Sequence, residues 1–182
     1  MICHKVLNLT SLDLIPDTTK VFRPWHNELF SVRSQDPKLF LGANVYEKLS
    51  ELGDLTSLVF HMKPYTDKQN VHIDIATKSK LPFWPSLNVL IEGQGVMQWF
   101  VPNSQGNLSY QPNADVWYQS WENTFGEVVD QWSEGKVALV KTDVAHNVWN
   151  PGDTDRLAVS IRWRQRYSWE ETLEWFEKNF YK

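Results

Sequence analysis

The chain has 182 residues and a formal net charge of −4, with 42% apolar and 22% charged residues. Its length fits one folded domain, and its composition excludes an intrinsically disordered chain. The slight acidic excess does not favour a protein that binds nucleic acid through its net charge, and no run reaches the roughly 18 apolar residues of a membrane span. The single cysteine, Cys3, excludes an intramolecular disulfide framework and a thiolate zinc cluster. We expect one domain over 1–182 in a reducing, cytoplasmic compartment, with no signal peptide and no membrane partner.

Two helices are predicted, one towards each end of the chain. The first covers 44–53, with Asn44 as its N-cap and its apolar residues on one face. The second covers 169–182, where Ser168 and Glu171 form a capping box. Both helices carry an apolar stripe, so we expect each to pack against a larger apolar surface.

The sequence between the helices is typical of short strands. Eight runs rich in β-branched and aromatic residues are separated by Gly, Pro and Asn turn signals. They are Ser57–Met62, Val71–Ala76, Ser86–Ile91, Val96–Val101, Val116–Trp121, Val137–Lys141, His146–Trp149 and Arg156–Trp163. Strands at this spacing predict a mainly β fold, a double-stranded β-helix of jelly-roll or cupin-like type, with its core over 57–163. The preceding segment, 1–56, is predicted to be mixed in structure, and the helices are predicted to lie outside the core.

One predicted strand carries a histidine and a carboxylate on the same face. Side chains alternate along a strand, so His72 and Asp74 point one way while Val71, Ile73 and Ile75 point the other. A histidine and a carboxylate two residues apart can supply two neighbouring ligands of a facial metal triad. The chain has five histidines and 22 acidic residues, which makes one such pair common by chance. A solvated polar face therefore stays open as an alternative from this motif alone.

The last predicted strand turns two arginines to one face. Its odd-numbered residues are apolar, whereas Arg156, Ala158, Ser160 and Arg162 share the other side. The turn signals before it predict a hairpin, in which Arg156 faces His146. An arginine on the inside requires an anionic partner, and a carboxylate suits its forked geometry. The alternative is an exterior face that carries two solvated arginines.

Taken together, these motifs resemble the Fe(II)- and 2-oxoglutarate-dependent oxygenase superfamily. The residues that carry the resemblance are His72-x-Asp74, then His146 and, ten residues further, Arg156. The stretches 146–150 and 155–163 are similar to the small aspartyl/asparaginyl-hydroxylase-like and phage-type branches of that superfamily. The resemblance covers about 57–163.

The resemblance implies a metal site and a co-substrate site. In that superfamily the His-x-Asp pair and the distal histidine bind Fe(II), the arginine holds the far carboxylate of 2-oxoglutarate, and O2 is consumed. The implied metal ligands are His72, Asp74 and His146, and the implied co-substrate residues are Arg156, Asn88 and Ser160. Many members carry serine two residues after the arginine, whereas this chain has Ala158 there and a hydroxyl at Ser160. His61, one strand earlier, is the alternative metal ligand.

The resemblance implies a hydroxylase that acts on a protein side chain, an amino acid or a small metabolite. The amphipathic run at 117–121 supplies candidates for the substrate mouth, which are Trp117, Tyr118 and Trp121. Two alternatives remain. One is a cupin-type metal enzyme that does not use 2-oxoglutarate, and the other is a non-catalytic jelly-roll module that binds through its tryptophans. Convergence of the three metal-ligand candidates on one point would separate the enzymes from the module.

Overall fold

The structure, a computed structural model, describes residues 1–23, 28–66, 71–76, 85–112, 116–121, 126–165 and 167–180. The described part contains three α-helices, α1 (Ser11–Leu14), α2 (Ala43–Ser50) and α3 (Trp169–Phe180). Two short 3-10 helices cover Thr18–Lys20 and Pro37–Leu39. The described strands are β1 (His4–Val6), β2 (Phe30–Ser34), β3 (Leu55–Met62), β4 (Val71–Ala76), β5 (Ser86–Glu92), β6 (Val96–Val101), β7 (Asn107–Gln111), β8 (Val116–Trp121), β9 (Glu127–Trp132), β10 (Val137–Val140), β11 (His146–Trp149) and β12 (Arg156–Trp163).

These strands form two six-stranded antiparallel sheets. The first, sheet A, has the order β1-β10-β5-β12-β3-β2, and the second, sheet B, has the order β7-β8-β4-β11-β6-β9. The chain passes repeatedly from one sheet to the other, as from β3 to β4 to β5 to β6 and from β10 to β11 to β12. This alternation confirms the predicted mainly β, double-stranded β-helix fold.

The outer face of sheet A is covered by the helices. The odd-numbered side chains of β12, Leu157 to Trp163, are buried in one apolar cluster with Leu49 of α2 and Phe176 of α3. The indole nitrogen of Trp163 donates a hydrogen bond to the Leu49 carbonyl at 2.9 Å. The predicted apolar face of this strand and the predicted position of both helices outside the core are therefore confirmed.

The two helix starts differ from each other in their caps. Helix α3 has the predicted capping box, since the Glu171 amide donates to Ser168 Oγ at 3.1 Å and the Ser168 amide donates to Glu171 Oε2 at 2.7 Å. Helix α2 begins one residue earlier than predicted, after Gly42, and no side chain caps it. The prediction of Asn44 as N-cap is wrong, because Asn44 already lies in the first turn. The predicted end of the last helix, 181–182, lies outside the described residues.

The Ser168→Ala variant is expected to lose about 1 kcal/mol of unfolding free energy, because α3 loses the acceptor for an otherwise unpaired amide. Urea denaturation followed by circular dichroism measures this loss. Ser109→Ala is the matched control, since Ser109 is an exposed serine on the edge strand β7 and should change stability by less than about 0.5 kcal/mol. Equal losses in the two variants would show that the capping box does not stabilise the fold.

Two neighbouring side chains of β6 are buried in different apolar clusters. Alternation predicts that Met97, Trp99 and Val101 share a core face, and the first two are 3% and 0% exposed. Phe100 points to the opposite face of the sheet, where it is buried in a separate cluster with Val71. The prediction is wrong for Val101, the last residue of β6, which is 51% exposed, because alternation gives the face of a side chain and not whether that face is still covered at the end of the strand.

None of the helices in the described ranges is both long and apolar enough to cross a membrane.

Candidate metal centre

Three possible metal ligands lie together on the face of sheet B that points towards sheet A. His72 and Asp74 belong to β4 and His146 to the adjacent β11, where His72 and His146 are direct register partners. The two imidazole rings have centroids 4.6 Å apart. One ligand atom from each of the three side chains lies within 4.8 Å of the others. Ligands bound to one ion at about 2.1 Å are at most about 4.2 Å apart, so a small inward movement would let all three share an ion.

The hydrogen bond of His146 leaves one ring nitrogen free to bind a metal. Its Nδ1 lies 2.8 Å from the Val144 carbonyl oxygen. A carbonyl only accepts, so Nδ1 carries the proton and Nε2 keeps its lone pair. Burial, with the nearby His72, lowers the pKa of His146 to about 4. The ring is therefore neutral at physiological pH, which is the form that binds metals.

Asp74 has one oxygen held by the protein and one without a hydrogen bond. Its Oδ2 accepts from the Arg162 guanidinium. Its Oδ1 is buried, has no hydrogen-bond partner and lies 3.5 Å from His72 Nε2. Burial alone would raise the pKa of Asp74, but the charge of Arg162 and the two histidines hold it below the ordinary value. The side chain is a carboxylate with a free oxygen beside two imidazoles, which fits a divalent metal.

Arg162 is a site residue to which the sequence alone assigns no role at the metal. Alternation places it on the same face as Arg156, with a solvated exterior face as the alternative, and its side chain is 2% exposed. It pairs with Asp74, and its Nε donates to Ser160 Oγ at 3.3 Å. The alternation that placed Arg156 inside applies equally to Arg162, so the signal was present in the sequence. Its contact with Asp74 involves one oxygen of that carboxylate, Oδ2.

Arg156 lines the same cavity but has no anionic partner. The side chain is 6% exposed, its Nε has no hydrogen bond, and Nη1 lies 3.8 Å from Met62 Sδ. Within the described residues, no carboxylate lies in ion-pair range of it. Burial lowers the pKa of Arg156 to about 10, so the group stays charged at neutral pH. A buried, unpaired cation strongly favours an anionic ligand.

The connection between His146 and Arg156 is a crossing between sheets. β11 belongs to sheet B and β12 to sheet A, so the predicted hairpin is wrong. Asn150 shapes the connection, because its Nδ2 donates to the Thr154 carbonyl at 2.8 Å and its Oδ1 accepts from the Gly152 amide at 3.0 Å. Turn residues indicate that the chain reverses, but they do not show which sheet it enters next. The two side chains nevertheless line one cavity, from opposite sheets.

The two further co-substrate candidates also line this cavity. Asn88 of β5 and Ser160 of β12 are register partners. Asn88 Oδ1 is buried without a hydrogen bond, and its Nδ2 lies 3.8 Å from Met97 Sδ. The cavity has a volume of about 30 Å³, and its polar lining is His72, Asp74, Asn88, Thr142, His146, Arg156, Ser160 and Arg162.

The three substrate-mouth candidates do not lie together. Tyr118 is the register partner of Asp74, and its ring meets that of His72 edge-on at 4.9 Å. Burial and the Asp74 charge raise the pKa of Tyr118. Trp117 and Trp121 lie on the opposite face of β8, where Trp121 is buried and donates to the Ser104 carbonyl at 2.7 Å. The prediction is corrected for these two tryptophans, because alternation along a strand separates neighbours.

His61 is not beside the triad. It is the register partner of Leu157 on the outer face of sheet A. Its Nε2 lies 2.9 Å from Asp155 Oδ2, which also accepts from Lys63 at 2.9 Å. This position removes His61 as the alternative ligand of the site.

No family model and no curated protein sequence matches the chain. Among solved structures, it is similar to Bacillus subtilis oxalate decarboxylase, described with Mn(II) centres, at 18% identity and a TM-score of 0.42, over 81% of this chain and 29% of that one. It is also similar to CapF, solved with the inhibitor 3-isopropenyl-tropolone, at 16% identity and a TM-score of 0.35, over 59% of this chain and 24% of that one. The chain thus spans less than a third of the length of either protein. The fold assignment rests on the strand order and register of this chain, which form a double-stranded β-helix with a His-Asp-His cluster inside it.

Proposed function

We propose that the protein is an Fe(II)- and 2-oxoglutarate-dependent oxygenase, a hydroxylase of a protein side chain, an amino acid or a small metabolite. The proposal rests on one arrangement of side chains. A cluster of two histidines and one carboxylate lines the same small cavity as a buried arginine that lacks an anion. A triad of this composition suits non-haem Fe(II), and the arginine suits a carboxylate.

One set of residues would hold the metal, and another set would position the co-substrate. His72, Asp74 and His146 would hold the ion, which when bound supplies the O2 chemistry. Arg156 would pair with the far carboxylate of 2-oxoglutarate. Asn88 lines the same cavity with a buried Oδ1 that has no hydrogen-bond partner, and its Nδ2 would donate a hydrogen bond to the co-substrate. The enclosing sheets would exclude water from the reacting atoms.

A second candidate is a cupin-type metal enzyme that does not use 2-oxoglutarate. The observation that favours it is the small cavity, whose volume of about 30 Å³ suits an acid smaller than 2-oxoglutarate unless side chains move. Arg156 would then bind the carboxylate of the substrate itself. A non-catalytic binding module is disfavoured, because it gives no reason for His72, Asp74 and His146 to converge.

The test is a metal and co-substrate titration of the purified chain. We expect one Fe(II) or Mn(II) per chain under anaerobic conditions, saturable binding of 2-oxoglutarate only after metal loading, and O2 consumption by the Fe(II) form that requires 2-oxoglutarate. Binding of oxalate without binding of 2-oxoglutarate would move the assignment to the second candidate. If no divalent metal is retained, both enzyme assignments are wrong.

A further inference from the structure

Three cavities lie in series between the triad and the protein surface. The inner one is the metal cavity, the middle one has a volume of about 10 Å³, and the outer one is a surface pocket of about 260 Å³. The inner and middle cavities share Met97, Val148 and Arg156, and the middle and outer ones share Leu90, Gly95, Val96 and Gly135. A continuous line of lining residues therefore connects the triad with the turns after β5 and β9.

Arg156 lies where the inner cavity meets the middle cavity. It lines both the inner and the middle cavity, is 6% exposed and has no hydrogen bond on its Nε. The guanidinium lies directly over Gly95, where an added Cβ would overlap Nε. Glycine at this position keeps one wall of the middle cavity free of side-chain atoms. The buried cation thus faces the route from the surface.

The outer end carries one charged residue. Lys136 is exposed, its Nζ lies 3.4 Å from the Gly93 carbonyl oxygen, and it is the sole charged side chain among the described residues that line the outer pocket. Among the described residues, no acidic side chain lines the middle cavity or the outer pocket. A route with a cation at each end and no acid between them attracts anions and disfavours cations.

We propose that this line of cavities is the entry route for the anionic ligand of the metal site. The ligand is a small carboxylate that first meets Lys136 and then passes the narrow middle cavity to reach Arg156. The middle cavity holds about one water molecule, so side chains such as Leu90 and Val96 must move aside to let the ligand through. The identity of the ligand rests on the proposed function, whereas the route can be tested without it.

Thiol labelling tests the route directly. In a Cys3→Ser background, Arg156→Cys and, separately, Leu90→Cys place a thiol on the route, and the probe is the anionic reagent 2-sulfonatoethyl methanethiosulfonate. Adding Ser133→Trp, which fills the outer pocket, should slow labelling at least about tenfold at both positions. Adding Lys136→Glu should slow it several-fold at low salt and less at high salt. Lys178→Glu on α3 makes the same charge change elsewhere and should have no effect.

The labelling result has two outcomes that overturn the proposal. One is an unchanged rate with Ser133→Trp, and the other is no labelling of either folded cysteine variant. Leu90→Cys keeps Arg156, so failure of Arg156→Cys to fold leaves the test intact. Circular dichroism shows which variants are folded.

Ligand kinetics give a second, independent readout. In the metal-loaded protein, Ser133→Trp should slow association and dissociation of 2-oxoglutarate by the same factor, leaving Kd unchanged, because it blocks the route and not the site. A change in Kd at equal association rate would assign Ser133 to the binding site and overturn the route. If 2-oxoglutarate does not bind at all, the proposed function fails while thiol labelling still decides the route.

Discussion

Replacing Arg156 by alanine is expected to lower the affinity of the metal-loaded protein for 2-oxoglutarate by roughly 30-fold to several thousand-fold. The reason is that the co-substrate carboxylate would be buried without its cation. Lysine at this position should restore only part of the affinity, since it offers a point charge instead of a planar fork. The affinity for the metal should stay nearly unchanged, because Arg156 is not a ligand. Isothermal titration of the wild type and both variants measures these effects.

Arg164→Ala is the matched control for this series. Arg164 follows the same strand but is exposed, and its amide donates to the Asp54 carbonyl through the backbone, which alanine retains. The control should bind 2-oxoglutarate as the wild type does. Equal binding by Arg156→Ala and the wild type would contradict the role of Arg156 and leave the cupin-type enzyme without 2-oxoglutarate as the better assignment.

The His146→Ala variant is expected to lose metal affinity by more than about 100-fold, since removal of a ligand costs more than removal of a residue that only orients one. The backbone pairing of β11 with β4 and β6 does not involve the ring, so the sheets should be retained. Metal content after dialysis, with competition against a chelator, measures the change. His61→Ala removes a histidine paired with Asp155 on the outer face, and it should leave metal binding unaltered.

Loss of metal from both His146→Ala and His61→Ala would indicate that the loss results from unfolding and not from a missing ligand. Retention of metal by His146→Ala would exclude the triad as the site. Far-UV circular dichroism of each variant distinguishes a folded apoprotein from an unfolded one.

The strands that the sequence predicted and those that it missed differ in their place in the sheets. All eight predicted runs are interior strands, whereas β1, β2, β7 and β9 are the four sheet edges. An edge strand pairs on one side only and is partly solvated, so it needs no regular apolar pattern. The residues of β7 are nearly all exposed, which explains why they resemble the loops beside them.

Alternation along single strands was sufficient to place most of the site. It put His72 with Asp74 and Arg156 with Ser160, and the structure has both pairs lining one cavity. It could not show that β11 and β12 belong to different sheets, because sheet assignment depends on packing between distant segments. The pairing of Asp74 with Arg162 is likewise a contact between sheets, which no local pattern encodes.

The division of the site residues between the two sheets has a consequence for motion within the protein. The metal-ligand candidates all come from sheet B and both buried arginines come from sheet A, with the Asp74–Arg162 ion pair as a direct link between the layers. A ligand that contacts the metal and Arg156 together would add a second link at the other end of the cavity. Its binding free energy would then oppose separation of the layers, as for any ligand that binds only the native state. Amide hydrogens on both sheets, including strands that never touch the ligand, would exchange more slowly when the site is filled.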